Sequence, residues 1–275
     1  MNASTASGVV REAIGAATDA LAAAGVDSPR LDAELMLAEA TGVDRARLAA
    51  DPDREIDSAA GRAFGAMVRR RLRREPLAYI VGRKGFRRIE VAIDPRVLIP
   101  RPETELLVEV AHELEPRSVL EVGTGSGAVA LAVADELPGV TVTATDVSEV
   151  ALDVARENAA RLGLERRVAL RHGSVPEGER FDLALANLPY VREDDWEELA
   201  PEITGYEPRG ALVPGPTGLE AIAAVVPRLD AEAIAVEVGA GQAGEVVRLV
   251  LDSGFERAEP RRDLAGIERV VVGRR

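Results

Sequence analysis

The chain has 275 residues, of which 47% are hydrophobic, 29% charged and only 3% aromatic, and it carries a formal net charge of −13. It has no cysteine, which excludes disulfides, cysteine zinc sites and thiol nucleophiles; no apolar run reaches the ~20 residues that span a bilayer, and Met1 to Val10 lack the basic-then-apolar order of a secretory leader. The profile is that of a cytoplasmic globular protein with no membrane partner, large enough for a small domain and a medium one.

The charge is unevenly placed. Residues 1–95 carry 15 basic and 14 acidic side chains, and the remainder 19 and 33. So acidic a second part repels phosphate backbones, and no direct nucleic-acid partner is expected.

In chain order, Val9, Ala13, Ile14, Ala17 and Leu21 share one helical face, and Gly25 is placed to end that helix. Ser28 and Pro29 read as the N-cap and first turn of a second helix through Leu31, Leu35 and Ala38, stopped by Gly42. Phe64, Met67, Val68 and Leu72 line a later helix. Its other side carries Arg69, Arg70, Arg73 and Arg74, read either as a solvated face or as a docking surface for a protein partner. From Phe86 the period changes: Ile89, Val91 and Ile93 alternate with Glu90 and Ala92, as in a short strand or hairpin. The expected division is a helical domain over 1–80, a hairpin linker over 81–95 and a larger domain over 96–275.

Beyond residue 118, strands and helices alternate. Strands are expected at Val119–Val122, Thr141–Thr145, Val168–Leu170, Leu183–Ala186, Ala233–Val238 and Val270–Val272. Helices are expected at Ala128–Leu137 and from a Ser148 cap through Leu162, and Ala221–Leu229 and Ala243–Leu251 continue the series. That rhythm predicts a parallel sheet covered by helices, the α/β class.

Two strand ends carry chemistry. The first reads Glu121-Val122-Gly123-Thr124-Gly125-Ser126-Gly127, a strand running into glycines and then a helix, which lets backbone approach a ligand closely. Asp146 ends the next strand, where a carboxylate can accept hydrogen bonds from ribose hydroxyls. This pair alone also fits a dinucleotide fingerprint. The second strand end is Asn187-Leu188-Pro189-Tyr190. An amide nitrogen is a poor nucleophile because its lone pair is delocalised, so a catalyst needs acceptors aimed at its N–H bonds. The Asn187 side-chain oxygen and the Leu188 carbonyl are candidates; Pro189 stiffens the turn and Tyr190 offers a ring to a planar group.

With these motifs the sequence resembles the bacterial release-factor glutamine methyltransferases, the HemK family, over nearly its whole length. The resemblance rests on the segments Asp27 to Leu35, Glu75 to Gly82, Tyr206 to Arg209 and Arg261 to Gly266. Its most distinctive part is Leu98-Ile99-Pro100-Arg101-Pro102-Glu103-Thr104-Glu105. It implies a seven-stranded class I, Rossmann-like methyltransferase domain behind a small helical domain and a β-hairpin. It also implies S-adenosyl-L-methionine as cofactor and class-1 peptide chain release factors as partners, methylated at the glutamine of their Gly-Gly-Gln loop. Carried over by position, Glu121, Gly123, Thr124, Gly125, Gly127, Asp146, Ser174 and Asn187 would hold the cofactor. Asn187 to Tyr190 would hold the glutamine amide, and Phe86 and Arg101 would line the entrance.

Three positions depart from the family pattern. Leu188 replaces the first proline of Asn-Pro-Pro-Tyr, giving a form similar to that of ribosomal RNA adenine dimethyltransferases. Ser174 stands where many members have aspartate, and Arg87 replaces an aromatic residue after Phe86. An adenine-N6 methyltransferase acting on nucleic acid and a cofactor-binding pseudoenzyme are therefore kept as alternatives. No metal site is expected: His112 and His172 have no metal-like neighbours, and the acidic run Glu193, Asp194, Asp195, Glu197 and Glu198 reads as a solvated loop and helix start. Trp196, within that run, fits either a lid or simple packing.

Overall fold

The computed structural model describes residues 8–275; Met1 to Ser7, part of the stretch read for a leader, lie outside the described residues. In chain order the elements are α1 (Val10–Ala23), α2 (Pro29–Thr41), α3 (Arg45–Ala50), α4 (Ser58–Leu72), α5 (Leu77–Val81), β1 (Arg83–Phe86), β2 (Ile89–Ala92), α6 (Glu105–Leu114), β3 (Ser118–Val122), α7 (Ala128–Glu136), β4 (Thr141–Asp146) and α8 (Glu149–Leu162). There follow β5 (Val168–His172), β6 (Phe181–Ala186), α9 (Pro201–Tyr206), α10 (Glu220–Val225), β7 (Ala231–Glu237), α11 (Ala243–Asp252), β8 (Arg257–Arg262) and β9 (Glu268–Arg274). Two compact units result. One holds the residues up to Gly82 together with Ala200–Tyr206; the other holds Arg83–Leu199 and Glu207–Arg275.

In the helical unit, Leu21, Met36, Leu37, Leu48 and Phe64 form the core between α1, α2, α3 and α4. Asp44 and Asp57 cap α3 and α4 by accepting from Ala46 N at 2.8 Å and from Ala59 N at 2.8 Å. Ser28 takes the N-cap position of α2, but its hydroxyl makes no capping bond. Gly42, at φ +66°, ends α2 as expected.

The arginine run is largely committed within this unit. Arg70 grips Glu75 with two bonds of 2.8 and 2.5 Å. Arg71 is buried and donates to Asp32 at 2.7 Å and to Glu202 at 2.9 Å, and Arg74 donates to Glu202 at 2.7 Å. The charges of Arg70, Arg71 and Arg74 therefore serve pairs within this unit. Removing one member of a buried pair strands the other charge, which typically costs about 3–5 kcal/mol. Arg71→Ala is thus expected to destabilise the helical unit by roughly that amount, read as an earlier unfolding transition in urea. An unchanged transition would show that Asp32 and Glu202 are satisfied without it.

In the second unit β1 and β2 form an antiparallel hairpin, Arg83 opposite Ala92. It groups with the sheet rather than standing apart as a linker, because Asn158 of α8 clamps it. Asn158 accepts from Ala92 N at 2.6 Å and donates to Ala92 O and Ser126 O, both at 2.9 Å. Arg87, in the turn, donates twice to Glu136 of α7, at 3.0 and 2.9 Å. Together with His112 these bonds pull the Glu136 carboxyl down to about 2, so His112 is a structural partner at 2.8 Å.

The seven-stranded sheet runs β5-β4-β3-β6-β7-β9-β8. From β5 to β7 all neighbours are parallel, whereas β9 is antiparallel to both β7 and β8. The order reverses between β3 and β6, so the loops leaving their carboxyl ends face each other at a topological switch point, where open α/β sheets bind ligands.

Candidate active site

The turn after β3 is held by its own backbone. Gly123 N and Thr124 N both donate to Thr145 O, at 2.8 and 3.0 Å, and Gly127 N donates to Thr124 O at 2.8 Å. Gly123 and Gly127 sit at φ +78° and +83°, where a side chain is strained. A Cβ on Gly127 would stand 3.0 Å from Leu131 and 3.3 Å from Ala155, and one on Gly123 would stand 3.2 Å from Leu188. These glycines permit close approach of the turn to α7 and to the turn after β6.

Beneath the loop lies Glu121, fully buried. Its Oε2 accepts from the Thr124 hydroxyl at 2.5 Å and from Ala130 N at 3.0 Å. Burial outweighs these bonds, and with Asp146 nearby the carboxyl is pushed up to about 8. Glu121, Thr124 and Gly127 shape the turn from behind and are not among the residues that line the cleft.

The cleft itself has a volume of about 680 Å³, in the range of small-molecule sites. Gly123, Gly125, Asp146, Ser174, Asn187, Leu188 and Pro189 all line it. Each Asp146 oxygen accepts one backbone N–H, from Gly125 and from Ser148, both at 2.8 Å. Each keeps a lone pair that can meet a vicinal diol. Val147, 72% exposed, adds an apolar surface to the wall against which a flat ring can lie. The donor set and volume fit a nucleoside-bearing cofactor.

Across the cleft, Asn187 Nδ2 donates to the Thr104 hydroxyl at 3.1 Å. This leaves Asn187 Oδ1 as the acceptor for a ligand. Leu188 turns its side chain into the core, 7% exposed, so only its backbone can serve the cleft. Tyr190 does not line it; its hydroxyl donates to Glu237 Oε1 at 3.2 Å, and its carbonyl accepts from Gln242 at 2.9 Å. Burial and the Glu237 charge push its phenol upward.

Neither expected entrance residue, Phe86 or Arg101, is among those that line the cleft itself. Phe86 is buried at 2% exposure, because the hairpin folds its ring inward. Arg101 is tied to Glu207 at 2.6 Å, and Glu207 also accepts from Ile99 N at 3.1 Å. The two family-like segments 98–105 and 206–209 thus meet through one buried carboxylate. Arg209 stacks over Trp196 at 5.5 Å and donates to Glu193 at 3.1 Å, which gives Trp196 a packing contact. Sequence reasoning assigned no role to Thr104, Glu207 or Glu237. The available signal for Glu237 was its place at the end of an apolar strand, the position Asp146 holds on β4.

Comparison with known proteins agrees with this geometry. Residues 12–82 match the family described as the PrmC N-terminal domain, and residues 119–206 match a methyltransferase domain family. A relative from Caulobacter vibrioides is 40% identical over 270 residues, covering 94% of this chain and 93% of its own. One from Bordetella pertussis is 41% identical, covering 89% and 94%. Both are described as release factor glutamine methyltransferases. Among solved structures, the hMettl16 catalytic domain in complex with a MAT2A 3'UTR hairpin superposes with a TM-score of 0.57 at 12% identity, covering 67% of this chain and 74% of that one. At that identity the likeness concerns the fold alone.

Proposed function

Because the chain belongs to the release factor glutamine methyltransferase family, we propose that it methylates the side-chain amide nitrogen of the glutamine in the Gly-Gly-Gln loop of class-1 peptide chain release factors, in the cytoplasm. It is a methyltransferase, and S-adenosyl-L-methionine is its methyl donor. Among the described residues no helix is long and apolar enough to cross a membrane.

The observation that carries the reading is the orientation of Asn187: its nitrogen is committed to Thr104 and its oxygen is left to the cleft. An acceptor there takes one N–H of a glutamine amide, and the Leu188 carbonyl takes the other. Both bonds strengthen as the nitrogen gains positive character, which is the differential stabilisation a catalyst needs. Asp146 would hold the ribose diol, and Gly123, Gly125 and Ser174 the remainder of the cofactor. When bound, the cofactor supplies an electrophilic methyl group on a sulfonium. The amide sheds one proton to solvent, so the chain need not provide a base.

Neither alternative, adenine methylation or a pseudoenzyme, draws support from the relatives. The test is mass spectrometry of a purified release factor after incubation with this protein and S-adenosyl-L-methionine. The glutamine peptide should gain the mass of one methyl group. Methyl incorporation into RNA with an unmodified release factor would sink the reading.

A further inference from the structure

The turn from Asn187 to Tyr190 must aim two acceptors at one amide, and its own backbone supplies little to hold that aim. Pro189 has no N–H to donate, and the Leu188 carbonyl is reserved for the substrate. The anchors come from outside the turn. Upstream, the Leu188 side chain is buried beside Gly123. Downstream, Tyr190 is held at both ends: its hydroxyl donates to Glu237 Oε1 at 3.2 Å, and its carbonyl accepts from Gln242 Nε2 at 2.9 Å. The Gln242 amide is itself fixed, because its Oε1 accepts from Gly239 N at 2.8 Å. With its oxygen taken by a backbone N–H, this amide presents its nitrogen to Tyr190. Gln242 stands at the N-cap of α11, and Ala243, Val246 and Val250 of that helix are buried in the core beneath the sheet's carboxyl end. Two glycines make room for the contact. A Cβ on Gly218 would stand 2.5 Å from Tyr190 O and 3.0 Å from Gln242 Nε2, and one on Gly239 would stand 2.8 Å from Gln242 Oε1. Gln242 is not among the residues that line the cleft, so it reaches the chemistry only through the turn.

We propose that Gln242 is a positioning residue for methyl transfer: its amide ties the Tyr190 carbonyl to the connection between β7 and α11, and so keeps the Leu188 carbonyl and the Asn187 oxygen aimed at the two N–H bonds of the glutamine. The inference deepens the reading given above and rests on it. A turn released from this tie keeps its cofactor contacts, because Asp146, Gly123 and Gly125 belong to other loops. What it loses is angle. Hydrogen bonds weaken steeply when misaligned, and a misplacement of about 1 Å in a reacting geometry can cost about 10²-fold in rate. Loss of Gln242 is therefore expected to slow the chemical step and to leave binding alone.

The experiment measures single-turnover methylation of a release factor at saturating cofactor, the KM for the release factor, and S-adenosylhomocysteine binding by calorimetry, for the wild type, Gln242→Met and Gln242→Glu. Methionine keeps the length of the side chain and removes both hydrogen bonds. Glutamate keeps an acceptor for Gly239 N but, ionised, has no proton for the Tyr190 carbonyl. Both variants should lower the single-turnover rate roughly tenfold or more, the scale of one lost orienting hydrogen bond. KM and cofactor affinity should stay within about twofold, the signature of an interaction felt only in the transition state. A wild-type rate in either variant would overturn the proposal, as would a loss of cofactor affinity that matches the loss of rate, since that would mark Gln242 as a support for the fold. Should Gln242→Met fail to fold, Gln242→Glu, which retains the Gly239 bond, decides the question. A wild type that never methylates the release factor would instead overturn the functional reading, so the two failures are distinguishable.

Discussion

Replacing Asn187 with alanine is expected to lower turnover by about 10²-fold or more, the usual scale for removing one preorganised group that stabilises developing charge. The side-chain oxygen of Asn187 is left for the substrate, since its nitrogen is held by Thr104. Leu188→Pro is expected to behave differently. Its acceptor belongs to the backbone, and its buried side chain packs against the Gly123 turn, so a proline that keeps the turn's shape should hold the rate within roughly tenfold, under about 1.4 kcal/mol of barrier. Single-turnover rates at saturating cofactor separate chemistry from binding. Loss of activity in Leu188→Pro with Asn187→Ala intact would reverse the assignment and point to a pocket role for the leucine.

Glu121→Gln is expected to stabilise the protein at alkaline pH and to flatten its stability profile between about pH 5 and 8. Glu121 is raised from 4.5 to about 8 by burial. The unfolded chain gives up this proton near 4.5, while the folded chain keeps it until about 8. The native state binds more protons across that window, so stability is fully present below 4.5 and is lost as pH rises through 8. At about 1.4 kcal/mol per pH unit the loss is on the order of several kcal/mol. A glutamine keeps a carbonyl to accept from Thr124 and Ala130 but cannot ionise. Glu237, raised to about 7, adds a slope of the same sign that ends sooner, so the interval from 7 to 8 isolates Glu121 from Glu237. Glu136, lowered to about 2, has the opposite sign and acts only below 4.5. Urea unfolding at several pH values checks this; a wild type and variant with parallel profiles would mean that Glu121 is ionised in the folded protein.

Much of the candidate site was legible from local chemistry. Gly123 and Gly127 announce backbone at positive φ, and Asp146 and Asn187 stand directly after apolar strands, so chain order alone puts them at carboxyl ends of a parallel sheet. Gly42 announces a helix end for the same reason: a cap is a contract between near neighbours. The segment 98–105, by its residue pattern, pointed to a family without revealing what each residue does. Strand β8 was invisible, because Arg257–Arg262 has neither apolar alternation nor a continuous apolar run. It exists as an edge strand paired with β9, where Pro260 is tolerated.

What tertiary structure alone decided are the pairings across long stretches of chain. Thr104 meets Asn187 83 residues on, and Glu207 reaches back 106 residues to Arg101. Arg71 and Arg74 are drawn inward by Glu202, and Phe86, which the family resemblance put at the entrance, turns into the core. The physical reason is the range of the forces involved. Backbone dihedral preferences and hydrophobic periodicity act over a few residues and are written in local order. A buried carboxyl, by contrast, acquires its partner and its pKa only when the packed core removes water and leaves one group within reach.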